Sequence, residues 1–326
     1  KKMADVLDIN VSWAGQQANE VLIKPTFLTP ELQNEFRIIL DIKSKRQLAL
    51  DTILSGVVRP SVGCGRDNAG DVVDITEKFI EVCDLKVNLD QCAKNLKNTF
   101  MEEYLRTGNE AQNLEGTIVE NYIIEKVTNA VRLDVYDIAW FGDENSTNDT
   151  LASCTGIWTR LIAGANAYDV EKVTIASTLA DCTALDTLRS MYEAAPDILD
   201  QMPEGDKYFA LTRELYDNYL TCREDACCGD KSWDMVEAGA RMLMFRGIPV
   251  YKKSRWSQII NANNMNHKHR AVYTYKENLV IGTDAISDTN TLDFFYDKRD
   301  KMNYIDAEFK MGTQYIYGDL SVIALS

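Results

Sequence analysis

Histidine is nearly absent from this 326-residue chain: His267 and His269 are the only two. That scarcity leaves carboxylates and thiols as the groups best able to do acid–base or nucleophilic work. Other absences narrow the field further. No apolar run approaches the ~20 residues of a membrane helix. No Lys/Arg run forms a phosphate-binding stripe, and the formal charge is −15, which argues against sequence-specific nucleic-acid binding. The first residues, Lys1-Lys2-Met3-Ala4-Asp5-Val6, lack the apolar segment of a secretory signal. There is no internal repeat, no low-complexity segment, and no HExxH, GxSxG, Walker or kinase signature.

What is present supports a sizeable core, since 45% of residues are hydrophobic. Eight cysteines are scattered along the chain; without a secretory route, reduced thiols are expected. Cys222, Cys227 and Cys228 form the one cluster, a weak metal candidate because no second pair lies near. No cofactor is expected. His267 and His269 sit among Asn, Lys and Arg, which suits an exposed loop better than a metal pair. Among 50 Asp and Glu residues, the pairs Asp134/Asp137 and Glu102/Glu103 read as solvated helix faces. The sequons at Asn145 and Asn148 read as a polar loop.

The order of elements predicts an α+β chain. Residues 1–35 look like an extended arm broken by Pro25 and Pro30. Residues 36–85 read as strands around a flexible tip, Gly56–Gly70, which holds four of the 17 glycines. Gly63-Cys64-Gly65 is no phosphate cradle, because no Lys-Ser/Thr follows. A long helix is predicted over Thr117–Phe141, with a capping box Thr117-Ile118-Val119-Glu120, an apolar face of Ile123, Val127, Ala130, Val131, Val135 and Ile138, and Gly142 as C-cap. At 1.5 Å per residue, about 24 residues make a rod of roughly 36 Å. A second helix follows capping-box-like residues Thr183–Asp186. A buried strand Tyr208–Leu211 and a helix Glu214–Leu220 come next. Met235–Met244 reads as a short helix or strand, and Phe245–Val250 as one strand. Val272–Tyr275 and Leu279–Ile281 suit a hairpin. Leu292–Tyr296 is a further strand, and Phe309–Leu325 alternates like a strand with two unlike faces.

This order resembles the major capsid protein of tailed bacteriophages, the Hong Kong 97-like family. The residues that carry the resemblance are the predicted helix 117–141, the turn Gly142-Asp143-Glu144-Asn145, the connection Cys154-Thr155-Gly156-Ile157-Trp158, Phe245-Arg246-Gly247-Ile248-Pro249-Val250, Ile281-Gly282-Thr283-Asp284 and the closing strands. The resemblance implies an N-terminal arm (1–35) and an extended loop (36–85). It further implies a peripheral domain (86–182 and 303–326) with its spine helix, and an axial domain (183–302). It implies a non-enzymatic subunit whose hexamers and pentamers tile an icosahedral head around DNA held without sequence-specific contacts. Portal, scaffolding or protease and decoration proteins are the implied partners, and no membrane is involved. The implied location is the virion, after assembly in the bacterial host cytoplasm. A start without Met fits proteolytic removal of a leading segment. Arg59, Gly63, Gly65, Arg66 and Asp67 become inter-subunit loop candidates, and Gly247, Pro249, Gly282 and Thr283 axial-domain turn candidates. An encapsulin-type nanocompartment shell is the alternative with the same fold, and a cytosolic thiol or metal enzyme the alternative without it.

Overall fold

The computed structural model describes residues 11–14, 22, 24–51, 75–96, 112–115, 117–225, 236–237, 240–241, 243–284 and 291–326. The first elements are β1 (Val11–Ala14), α1 (Lys24–Phe27), α2 (Pro30–Glu35), β2 (Arg37–Ile39), β3 (Lys45–Asp51), β4 (Ile75–Glu81) and β5 (Cys83–Gln91). Next come α3 (Ile118–Phe141), α4 (Ile157–Asn166), β6 (Glu171–Thr174), α5 (Thr183–Glu193), α6 (Asp197–Gln201), β7 (Lys207–Thr212) and α7 (Arg213–Asp225). The remainder is β8 (Val236–Glu237), β9 (Ala240–Arg241), β10 (Leu243–Phe245), β11 (Ile248–Lys253), α8 (Ser254–Ala262), β12 (Arg270–Tyr275), β13 (Leu279–Gly282), β14 (Thr291–Asp297), β15 (Met302–Tyr315) and β16 (Ser321–Leu325).

Helix α3 runs its full expected length, but its N-terminus is built differently. The Thr117 hydroxyl does not cap the helix; it donates to the Leu114 carbonyl. Glu120 is buried. The buried stripe is Val119, Ile124, Val127, Val131, Val135 and Ile138, while Ala130 faces solvent. Gly142 ends the helix with an ordinary negative φ. Glycine is required there by close approach: a Cβ would lie 2.1 Å from the Cys154 carbonyl oxygen. Helix α4, where only a connection was expected, follows at once from Gly156, whose N–H donates to the Gly142 carbonyl at 2.8 Å.

Two sheets organise the chain. One runs β10-β11-β7-β12-β16-β6. All six residues of β7 are buried, because the sheet is covered on both faces. Tyr208, Ala210, Val272 and Ile323 face the core that holds α3, α4 and α8. Phe209, Leu211, Tyr273, Val322 and Ala324 face a second core with Leu188, Met191 and Leu215 from α5 and α7. The other sheet is built on β15, which carries β14 and β5 along residues 302–311 and β13 along 312–315; β1 lies outside β14, and β2 runs parallel to β13. The alternation expected in β15 holds to Met311, after which both faces are buried.

Several expected pairings change. Strands β12 and β13 are joined by a turn yet do not pair: β12 lies between β7 and β16, β13 between β15 and β2. Phe245–Val250 is a hairpin rather than one strand, with β10 and β11 antiparallel across Arg246-Gly247. Sheet membership also cuts across the expected units. Strands β13 and β14 pair with β15, β2 and β1 rather than with β7 or β12, and β16 pairs with β12. Met235–Met244 contributes short strands.

Among the described cysteines Cys92 is free, as expected, but four others are not reduced. Cys83–Cys154 and Cys182–Cys222 are disulfides, with Cα atoms 5.9 and 5.0 Å apart, within disulfide reach. Sequence spacing carried no sign of this, because the partners lie 71 and 40 residues apart. Loops of that size constrain the unfolded chain by about 4 kcal/mol each.

Substituting Val127 or Val131 by Asp places an unpaired carboxylate in the largest core. A loss of at least ~3 kcal/mol is expected, read as insoluble expression or as loss of the cooperative thermal transition by circular dichroism.

Candidate assembly elements and the inter-sheet junction

The β3–β4 hairpin stands apart from both large sheets. Its strands pair antiparallel from Lys45↔Glu81 to Asp51↔Ile75, and form a two-stranded sheet of their own. The tip between them, with Arg59, Gly63, Gly65, Arg66 and Asp67, lies outside the described residues. The base is seated on the body by a small core of Ile42, Leu48, Ile80 and Val280. Polar contacts surround it: Gln314 donates to the Phe79 carbonyl at 2.9 Å, and Lys78 pairs with Asp169 at 3.2 Å while lying 3.5 Å from the centre of the Tyr315 ring. Burial lowers the Lys78 pKa, opposed by the Asp169 charge.

Gly282 and Thr283 belong to this seat rather than to the β7 sheet. A Cβ on Gly282 would meet Ile42 Cδ1 at 2.5 Å and Ile80 at 3.0 Å. Fully buried Thr283 donates to the Lys310 carbonyl at 2.8 Å, and its backbone bonds Ile39 and Ile42. Gly247 and Pro249 sit elsewhere. Arg246 and Gly247 have φ of 49° and 83°, as a two-residue hairpin turn with both φ positive requires. Pro249 is tolerated because parallel pairing with β7 begins only at Val250. The structure thus divides these four residues between two places.

The long helix is fixed by a junction that sequence reasoning missed. Trp140 of α3, Trp158 of α4 and Trp256 of α8 converge, with ring centroids 4.5 Å (140–256), 5.2 Å (158–256) and 6.3 Å (140–158) apart. Beside them, buried Glu35 pairs with Lys253 and accepts from Trp140 Nε1 at 3.0 Å and from Tyr136 at 3.4 Å. Tyr208 donates to the Glu35 carbonyl at 3.3 Å. Burial first, then the Glu35 charge, pushes the Tyr136 and Tyr208 phenols well above their usual range, so both remain protonated donors. Asp137, expected on a solvated face, instead accepts two 2.6 Å bonds from Arg255; burial raises its pKa and Arg255 opposes that. Arg270 lies over Phe141 and Trp158 and donates to the carbonyls of Asn266 and His267; burial brings its pKa down to about 10.

A third cluster ties the two sheets. Asn278, 1% exposed, sits at the turn between β12 and β13. Its side chain donates to the Tyr317 carbonyl at 2.9 Å and to Ser321 Oγ at 2.8 Å, and accepts from the Tyr317 N–H at 2.8 Å. It therefore binds one chain crossing between the sheets to the other, the β15–β16 connection.

Among the described residues, no three His, Cys, Asp or Glu side chains converge on a possible metal position. Cys222 is bonded to Cys182, which removes it from the proposed thiol cluster; Cys227 and Cys228 lie outside the described residues, as do Glu102 and Glu103. His267 and His269 lie in a loop; His267 Nδ1 contacts the Ser326 carbonyl, and burial lowers the His269 pKa. No helix among the described residues is long and apolar enough to cross a membrane.

Lys253→Met leaves the Glu35 carboxylate buried without its cation, and a loss of about 3 kcal/mol is expected. Glu35→Gln keeps an acceptor for Trp140 but leaves the Lys253 ammonium without its anion, so a loss of about 3 kcal/mol is expected here too. Asn278→Ala leaves the partly buried Tyr317 N–H without its acceptor, with a loss of about 1 kcal/mol. Guanidinium unfolding of the three variants checks this order.

No family model matches the chain, and no curated protein does. Solved structures do. The chain is similar to a protein of the satellite phage P4 procapsid that includes the size determination protein, with TM-score 0.55 and 12% identity over 93% of this chain and 96% of that one. It is similar to the capsid of an empty GTA particle, with TM-score 0.57 and 11% identity over 90% and 95%. It is also similar to the virus-like particle from Pyrococcus furiosus, with TM-score 0.50 and 10% identity over 95% and 98%. With nearly full coverage on both sides, the chain has the Hong Kong 97-like fold of tailed-phage capsid subunits.

Proposed function

We propose that this chain is a shell-forming subunit, the major capsid protein of a tailed phage or prophage, which assembles as hexamers and pentamers into an icosahedral head around DNA. The observation that carries the reading is the β3–β4 hairpin on this fold: a two-stranded element that adds to neither of its own subunit's sheets. The capsid structures of similar fold support it. In this reading the arm 1–35 and the hairpin 36–85 reach neighbouring subunits, the β7 sheet with its helices serves as the axial unit, and the β15 sheet with α3 as the peripheral one. Contacts of this heterologous kind close into rings, and many modest interfaces per subunit hold the shell. The role is structural, not enzymatic. The shell forms in the bacterial cytoplasm with portal, scaffolding or protease and decoration proteins, and ends in the virion. An acidic wall encloses DNA without adhering to it. A nanocompartment shell is the second reading, favoured by the fold shared with the Pyrococcus furiosus particle.

Negative-stain electron microscopy of the purified chain, with light scattering, tests the proposal. Hollow shells or five- and six-membered rings are expected. DNA inside particles from infected cells supports a phage head, enclosed protein a nanocompartment, and a permanent monomer in the presence of its neighbouring gene products refutes both. Deleting residues 56–70 is expected to leave a folded subunit that forms no shells; shells like those of the parent chain would remove the hairpin tip from assembly.

A further inference from the structure

We infer that Cys83 and Cys154 form an oxidative lock on the seat of the β3–β4 hairpin, open as a dithiol during assembly and closed to the disulfide once the shell meets oxidising surroundings. The inference rests on the assembly reading above and adds a redox control to it.

The placement of the bond is the first observation. Cys83 opens β5, two residues after the hairpin strand β4 ends at Glu81. Cys154 lies in the tight turn that returns from the end of α3, two residues before Gly156. The bond therefore joins the strand leaving the hairpin to the C-terminal end of the long helix. The rest of the seat is non-covalent: the Ile42/Ile80/Val280 core, the Gln314–Phe79 bond and the Lys78–Asp169 pair. The second observation is that the reduced state is also provided for. Cys154 Sγ lies 3.4 Å from the Met311 carbonyl oxygen, so as a thiol it has an acceptor and leaves no buried polar orphan. The third is asymmetry of access. Cys154 is 1% exposed, whereas Cys83 is half-buried, which makes Cys83 the sulfur that a small oxidant reaches.

The chemistry needs only a low-molecular-weight disulfide. The Cys83 thiolate attacks one of its sulfurs and releases one thiolate, which leaves a mixed disulfide on Cys83. Cys154 gives up its proton, attacks the Cys83 sulfur and releases the second thiol. Two protein thiols are oxidised, and one small disulfide is reduced to two thiols. A reducing cytoplasm holds the pair open, and release from the cell permits closure. Cys182–Cys222 provides an internal control, because it joins α5 to α7 on the far face of the β7 sheet.

The test uses shells isolated under reductant and then dialysed against glutathione disulfide. Free thiols are alkylated under denaturing conditions and mapped by peptide mass. Shell dissociation in guanidinium is followed by light scattering. Cys83 and Cys154 are expected to be alkylated before oxidation and protected after it, with dissociation moving to higher denaturant. Cys182→Ser shells should still shift on oxidation, and adding Cys83→Ser or Cys154→Ser to that variant should hold them at the reduced midpoint. The lock is overturned if Cys83 and Cys154 stay alkylatable after oxidation, if they are already bonded in shells quenched directly from the cytoplasm, or if closing the bond leaves the midpoint unchanged. A subunit that forms no shells under any condition refutes the assembly reading instead. On that subunit, closure that slows proteolysis at the hairpin base supports the lock, and unchanged cleavage overturns it.

Discussion

The fold depends on how a single long helix is fixed to a sheet it cannot pair with. Helix α3 has one narrow buried stripe, and a rod attached only by methyl groups can slide along its axis. Three indole rings from α3, α4 and α8 prevent that, because each fills space bounded by the other two. The Glu35–Lys253 pair adds direction. A buried carboxylate satisfied by an ammonium, an indole N–H and a phenol accepts only one arrangement of the segments that supply them. Those segments are α2, α3 and β11, so the N-terminal region, the helix and the β7 sheet are set relative to one another at one point.

The second constraint is that the chain passes between the two sheets twice at the same place. Strands β12 and β13 are consecutive but belong to different sheets, and so do β15 and β16. Asn278 bonds one passage to the other. The hairpin seat lies alongside, with Gly282 and Thr283 packed beneath Ile42 and Ile80. A displacement of the hairpin base is therefore felt first in β13, which lies one turn from the Asn278 junction.

Much of this was legible in the residues. The helix 117–141 was readable because its apolar residues recur at helical spacing over many turns, and β7 because a continuous apolar run bounded by polar residues suits a strand buried on both faces. What failed was long-range. The turn at 276–278 looks like a hairpin turn, and local pattern carries no information on which sheet each flanking strand joins. The Thr117 and Thr183 hydroxyls both bond upstream carbonyls, at Leu114 and Ala180, rather than capping their helices, because tertiary packing sets those entries. Helix α4 was missed because it starts at a glycine with no capping side chain and has another glycine inside it. Asp137 looked solvated because Arg255, its partner, lies 118 residues away. Gly282 was read as a turn residue of the axial unit, because its packing partners on the hairpin base could not be read from its neighbours.

The position of β16 sets an order of events during synthesis. This strand lies inside the β7 sheet, between β12 and β6, although it follows every other strand of that sheet in the chain. Until residue 325 has emerged from the ribosome, β12 has an open edge and β6 has no partner. The face of the sheet that supports α5 and α7 is likewise incomplete, because Val322 and Ala324 belong to it. A growing chain on a polysome, crowded by copies of itself, therefore carries an unfinished β7 sheet with an open edge. Translation itself delays completion of this sheet until β16 has been made, a form of timing written into strand order rather than into any regulatory site.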